Sequence, residues 1–315
     1  MLYNSGEYCK YIQHIVRERS TTSTYINGDD PANLETEDQV NEYFRLNEKA
    51  NNEPAVPFSI KNFTLNEEEL NHSFNRLGIT PSPSRAMSNL FWININWQEI
   101  KKTLGEINIL DFGCGNGGYF KKLYEWSNKS ISSYTGIDLQ ESSKWKNYTN
   151  ASFIKLDIDK NIDNLKSFFP EKINFFMSQS ALEHIKYDLE IFTQIKEYIL
   201  KNKKPVTQVH LVPAPECLKL YGPHGYRQYG QNALNKIINL FKDFCDIKIS
   251  GLCGENCNNL HFNYITNPIY YLKKTDKRNT HPNEYTEQLK TSIKEDMKKQ
   301  SISSACFWAL EINYK

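Results

Sequence analysis

Ile107-Asn108-Ile109-Leu110-Asp111-Phe112-Gly113-Cys114-Gly115-Asn116-Gly117-Gly118-Tyr119-Phe120 decides the fold. The stretch opens as a short apolar run, the signature of a strand buried in a parallel sheet. Glycines at 113, 115, 117 and 118 then make a turn. Beyond it, Tyr119-Phe120-Lys121-Lys122-Leu123-Tyr124-Glu125-Trp126 alternates apolar and polar side chains at helical spacing. A strand that breaks at glycines and feeds a helix brings bare backbone close to a ligand. Glycine tolerates positive φ and has no Cβ in the way. The first amides of the helix then face the turn.

Many nucleotide-binding α/β proteins share that arrangement, and dinucleotide enzymes favour G-x-G-x-x-G. Here the spacing is G-x-G-x-G, with Asp111 two residues before the first glycine. Asp-Phe-Gly-Cys-Gly-Asn-Gly-Gly resembles motif I of the class I S-adenosylmethionine-dependent methyltransferases, and the resemblance covers about residues 105–215. It implies S-adenosylmethionine as cofactor and S-adenosylhomocysteine as product. It also implies that Asp111, Gly113, Cys114, Gly115 and Gly117 form the loop under the methionine part. Read from the glycines alone, a loop for another nucleotide or a turn that binds nothing stays open.

Outward from the loop, strand and helix alternate, as in a parallel α/β sheet. The expected strands are Ile107–Asp111, Ser133–Asp138, Ser152–Leu156, Lys172–Met177, Val206–Val212, Asp246–Ser250 and Ala305–Tyr314. Helices are expected at Gly118–Trp126, Ile162–Phe169, Leu189–Leu200, Asn232–Phe244 and near Tyr285–Lys299. The resemblance implies a seven-stranded, mostly parallel sheet with helices on both faces. Its last strand would run antiparallel between strands five and six. Residues 251–304 form an insertion before that strand, within a domain of residues 105–315.

Residues 1–104 precede it as a mostly helical extension. Helices are expected at Tyr8–Arg19, Thr36–Asn47, from Thr64 or Asn66 to Leu77, at Ser84–Asn94 and at Trp97–Leu104, with residues 1–60 otherwise irregular. The resemblance makes this extension a lid over cofactor and acceptor. A simple packing cap is the alternative.

Asp138 ends Tyr-Thr-Gly-Ile-Asp, 27 residues after Asp111 (138 − 111). A carboxylate at a strand's C-terminal edge at that distance reaches ribose hydroxyls; Leu139 follows it beside the cofactor. The resemblance puts Asp157 at the adenine amino group, with Ile158 as the adjacent amide and apolar wall. Asp159 competes with Asp157, and either could cap a turn. Strand four begins Ile-Asn-Phe where many members have Phe-Asp. It ends Met177-Ser178-Gln179-Ser180-Ala181-Leu182-Glu183-His184, resembling the Leu-Glu-His stretch of small-molecule methyltransferases. Ser178 and Gln179 then fall where acceptor and sulfonium meet. Neither Asn/Asp-Pro-Pro-Tyr nor Pro-Cys is present there, which argues against a nucleic-acid base as acceptor.

A hydroxyl acceptor needs a base, and histidine titrates near neutral pH. His184 and His224 both follow parallel strands, where α/β sites form. His184 could equally be a helix-start residue packing the cofactor pocket. His210, inside an apolar strand, reads as a core histidine. In the loop after strand five, Arg227 could clamp a carboxylate or phosphate. Tyr221, Tyr226 and Tyr229 offer flat faces for a sugar. A proline-stiffened turn packed on the core is the alternative. The block from Val209 to Tyr229, Val-His-Leu-Val-Pro-Ala-Pro-Glu-Cys-Leu-Lys-Leu-Tyr-Gly-Pro-His-Gly-Tyr-Arg-Gln-Tyr, resembles methyltransferases of bacterial capsule and surface-polysaccharide clusters. That likeness implies O-methylation of a sugar, nucleotide-sugar or phosphate or phosphoramidate precursor. N-methylation of a small metabolite or protein, and a non-catalytic binding protein, remain open.

The totals agree with a cytoplasmic enzyme. The 315 residues carry 38 basic and 37 acidic side chains, a balance that steers neither nucleic acid nor an anionic membrane. No apolar run reaches signal-peptide or membrane-helix length. Seven cysteines without secretory context read as reduced thiols. Cys253, Cys257 and His261 are spaced too loosely to name a metal site, so none is expected. A small-molecule or glycan-precursor partner follows; the oligomeric state does not.

Overall fold

The computed structural model describes residues 58–221, 225–272, 274–299 and 303–315, with two short strands before them. Those strands, β1 (Tyr25–Ile26) and β2 (Asp30–Pro31), pair antiparallel. The helices expected at Tyr8–Arg19 and Thr36–Asn47 lie outside the described residues.

One larger sheet contains β3 (Ile60–Asn62), β4 (Ile107–Phe112), β5 (Ile131–Asp138), β6 (Ser152–Lys155), β7 (Phe175–Gln179), β8 (Val206–Pro213), β9 (Asp246–Leu252) and β10 (Phe307–Tyr314). Their order is β3-β9-β10-β8-β7-β4-β5-β6. The pairs β4–β5, β4–β7, β5–β6 and β7–β8 are parallel. β10 lies between β8 and β9, the place expected of it. The Ala214 amide donates to Cys306 O, while Thr207 Oγ1 donates to Asn313 Oδ1. The start of one strand thus meets the end of the other, so β10 runs antiparallel.

The sheet has eight strands, not seven. The extra one, β3, falls in a stretch that reads as irregular. Three residues are too few for an alternation to register, and what makes them a strand is pairing beside β9, where the Phe63 amide donates to Gly251 O at 2.9 Å. Two other expectations shift. Strand four starts at Phe175 and runs to Gln179. The helix expected at Ile162–Phe169 is a 3-10 stretch, Asp159–Phe168, kinked at Asn161.

The core of the sheet is its continuous apolar runs. Ile107, Ile109, Leu110 and Phe112 of β4 are at most 1% exposed. Each such side chain contributes about 1.5–3 kcal/mol on burial. Successive residues face opposite ways, so the two faces can be told apart at β7. Phe175 stacks on Trp97 of the helix Trp97–Leu104, whereas Phe176 meets Tyr198 of the helix Asp188–Asn202. Helices therefore cover both faces. Among the described residues, no helix is long and apolar enough to cross a membrane.

The chain packs as two compact units, each from several stretches. One comprises Phe91–Val212, Leu234–Ile249 and Ala309–Lys315. The other draws on described residues up to Leu90, on Pro213–Ala233 and on Ser250–Trp308. In the latter, Asn66 and Glu69 form a capping box at the start of the helix Glu67–Phe74. The helix Glu255–His261 continues as a π-helical stretch, Phe262–Tyr271, around Pro268. The Asn256 and Cys257 amides at its start donate to Asp296, at 2.9 and 2.8 Å. His261 packs edge-on against Tyr221, with ring centroids 4.5 Å apart. Among the described residues no three His, Cys, Asp or Glu side chains converge to hold a metal.

Candidate functional site

The candidate site lies wholly in the first unit, at the C-terminal ends of β4 to β7. A cleft of about 280 Å³ is lined by Gly113, Asp138, Leu139, Leu156, Asp157, Ile158, Asp159, Ser180, Ala181, His184 and Ile185. Such ends are where open α/β sheets bind ligands.

The glycine loop explains itself through backbone geometry. Gly113, Gly115 and Gly117 have φ of 73°, 56° and 77°, the left-handed region that side chains disfavour. At Gly113 a Cβ would also sit 2.4 Å from the Ala181 Cβ. At Gly117 it would sit 2.8 Å from the Phe153 ring. The helix Gly118–Trp126 starts directly from Gly117.

Three polar contacts fix the loop. The Gly115 amide donates to Asp138 Oδ2 at 2.7 Å. The Gly115 carbonyl accepts from Trp145 Nε1 at 2.8 Å, and the Trp145 ring stacks on Phe153 at 5.1 Å. Gln140 N donates to the other Asp138 oxygen at 3.0 Å. A carboxylate has about four lone-pair sites, so Asp138 retains capacity for two ribose hydroxyls. Leu139 beside it lines the cleft and is 56% exposed, so its side chain is open to contact with a ligand.

Asp111 is 2% exposed, and its Oδ2 accepts from the Tyr134 hydroxyl at 2.5 Å. Burial raises its carboxyl to about 7, opposed by the Tyr134 hydrogen bond. Among the described residues Oδ1 has no partner. A buried carboxylate oxygen left unpaired fits a cationic amine such as that of a methionine moiety. Cys114 packs its sulfur against Gly136, where a Cβ would come within 2.6 Å. Burial pushes its thiol well up, away from any nucleophilic role.

Asp157 and Asp159 divide the work between them. Asp157 faces the cleft but also caps the following turn, accepting from the Lys160 amide, and the Lys160 side chain holds its carboxyl low. Asp159 accepts from the Lys186 and Tyr187 amides at 3.2 and 3.1 Å, tying the turn after β6 to the segment after β7. Ile158 is buried in the wall.

The segment after β7 brings His184 to the cleft. Ser180 has φ of 53°, its amide donates to Leu211 O, and its hydroxyl donates to the buried Glu183. This tight turn leads into the single 3-10 turn Leu182–His184, which leaves His184 exposed. Ser178 is corrected by the structure. Its side chain is fully buried on the other side of β7, 3.0 Å from His210 Nδ1, so its neighbours Ser180 and Ala181 line the cleft instead. His210 is the core histidine expected, with burial lowering it to about 3. Gln179 is 9% exposed and held by Trp92.

The remaining candidates belong to the second unit. Tyr229 is corrected: it is fully buried, its carbonyl accepting from Trp308 Nε1, so it offers no face to a sugar. The Tyr221 hydroxyl is 2.7 Å from Ser84 Oγ. Tyr226 and Arg227 are partly exposed. His224 lies outside the described residues.

Sequence reading missed Trp145, Gly136, Asp159 as an anchor, and Ala181. Only Gly136 had a signal, a glycine inside an apolar strand.

Residues 110–203 match the family model described as a methyltransferase domain. Among curated proteins no sequence matches the chain. Solved structures that resemble it include an S-adenosylmethionine-dependent methyltransferase from Archaeoglobus fulgidus, at 19% identity and TM-score 0.43, covering 74% of this chain and 94% of that one. Another is an S-adenosylmethionine-dependent methyltransferase from Mesorhizobium loti, at 14% and 0.40, covering 69% and 95%. A mycolic acid cyclopropane synthase bound to S-adenosylhomocysteine matches at 12% and 0.40, covering 78% and 95%. Likenesses this remote carry no argument about acceptor or mechanism. Over residues 110–203 the chain is thus similar to a methyltransferase domain.

Proposed function

We propose that this chain transfers the methyl group of S-adenosylmethionine to an oxygen of a sugar, nucleotide-sugar or phosphate-bearing precursor of a surface polysaccharide. One observation carries the cofactor half: the glycine loop, Asp138 and Asp157 border a single cleft, with the unpaired Asp111 carboxylate two residues before the loop. Bound S-adenosylmethionine would supply an already activated methyl group on a sulfonium. The protein's part is then alignment and proton removal. Asp111 would hold the amino group, Asp138 the ribose hydroxyls and Asp157 the adenine amino group, with Leu139 and Ile158 against the base.

His184, exposed in the cleft, is the proposed base for a hydroxyl acceptor. With the methyl passing from the sulfonium sulfur, whose S–C bond breaks to leave a neutral thioether, to the acceptor oxygen, His184 would take the hydroxyl proton on its imidazole. A phosphoryl oxygen is already anionic and would need no base. The acceptor assignment rests on the likeness of Val209–Tyr229 to capsule-cluster methyltransferases.

The decisive experiment is calorimetric titration with S-adenosylhomocysteine, with Asp138→Ala as control. Micromolar binding, lost in the variant, is the expected result. Absence of binding to well-folded wild-type protein would refute the cofactor reading. His184→Ala should retain S-adenosylhomocysteine binding and lose turnover on a hydroxyl acceptor.

A further inference from the structure

The last residue of β7, Gln179, is nine-tenths buried, and its Oε1 accepts from the Trp92 indole Nε1 at 2.8 Å. An indole N–H donates and cannot accept. The pairing therefore fixes which end of the amide is which. Trp92 is itself immobilised. It is fully buried, stacks on Trp97 at 6.2 Å, and its carbonyl accepts from Trp97 Nε1 at 3.0 Å. Gln179 Nε2 has no partner among the described residues, leaving two N–H donors. Nε2 is not among the fully buried unpaired atoms, so its donors are open to a ligand from solvent. The next two residues, Ser180 and Ala181, line the cleft.

We propose that Gln179 recognises the methyl acceptor through its side-chain NH2, with Trp92 as the positioning residue that keeps the oxygen turned away. The acceptor would then present oxygen lone pairs here, as a phosphate or carboxylate does, and not an N–H donor. This deepens the methyltransferase reading and rests on it.

The test uses isotope-labelled full-length protein saturated with S-adenosylhomocysteine. The Gln179 side-chain amide signals are identified by their loss in Gln179→Glu, then followed during titration with inorganic phosphate, acetate or methylammonium. A saturable shift with phosphate or acetate, and none with methylammonium, is expected; the anion that acts distinguishes phosphoryl from carboxylate acceptors. Gln179→Glu keeps an oxygen for Trp92 and replaces the donors by an acceptor. It should weaken anion binding at least about tenfold, the scale of a charge-assisted hydrogen bond. Gln179→Met, which adds no charge, should lose the same binding. Trp92→Phe frees the amide to flip and should weaken it by roughly 3–10-fold. Unresponsive Gln179 signals in protein that binds S-adenosylhomocysteine would overturn the proposal, as would a shift with methylammonium or wild-type anion binding by Gln179→Glu. Failure to bind S-adenosylhomocysteine at all would overturn the cofactor reading and this proposal with it.

Discussion

Gly113→Ala tests how the loop and the segment after β7 are fitted together. The substitution carries two separable costs. At φ 73° a Cβ meets the following carbonyl, costing about 1–2 kcal/mol. The new methyl would also lie 2.4 Å from the Ala181 Cβ. That neighbour is fixed to the backbone and cannot swing aside, so the overlap adds about 1–3 kcal/mol. The sum is about 2–5 kcal/mol of lost stability. Gly115→Ala is the internal control: φ is 56°, but nothing lies within 4 Å of its Cβ, so only the backbone cost should appear. Ala181→Gly removes the obstructing methyl and leaves Ala181 Cα at an ordinary 3.7 Å. The Gly113→Ala/Ala181→Gly double variant should therefore recover about 1–3 kcal/mol beyond additivity. Urea denaturation of the four proteins gives the cycle, and S-adenosylhomocysteine titration reports whether the cleft survives. Additive single effects, or equal costs at 113 and 115, would refute the reasoning.

Asp111 sets a pH dependence. Its folded carboxyl titrates at about 7, above the ordinary value near 3.9, so between the two the folded state holds a proton that the unfolded state has released. The stability from this group is present below about pH 4 and is lost as pH rises towards 7; Asp111→Asn should flatten that limb in urea midpoints taken from pH 4.5 to 8, and an unchanged profile would count against it. Trp145→Phe keeps the stack on Phe153 but removes the hydrogen bond to the Gly115 carbonyl. It should weaken S-adenosylhomocysteine binding by roughly 3–10-fold in calorimetry, with little change in turnover at saturation.

Much of this protein is determined locally. The apolar run Ile107–Phe112, the glycines and the amphipathic Gly118–Trp126 specify strand, turn and helix from their own spacing. Asp138 could be placed because a strand's end and a fixed separation from the loop decide which edge it occupies. Other features depend on partners distant in sequence. β3 is a strand through its pairing with β9, with the adjoining Phe63 amide bonded to Gly251. Ser178 and Ser180 look alike in sequence, and a continued strand would point both the same way; β7 ends at Gln179 and the turn at Ser180, with φ of 53°, takes it to the cleft while Ser178 stays against His210. Tyr229 has the composition of a binding-loop tyrosine, yet its side chain is fully buried and its carbonyl is tied to Trp308, 79 residues on (308 − 229). Trp145 becomes a loop anchor because Phe153 of β6 offers it a surface. Spacing along the chain fixes periodicity and turn chemistry; which polar atom meets which, and which apolar ring is covered, is fixed by packing between segments as far apart as Phe63 and Gly251, 188 residues (251 − 63).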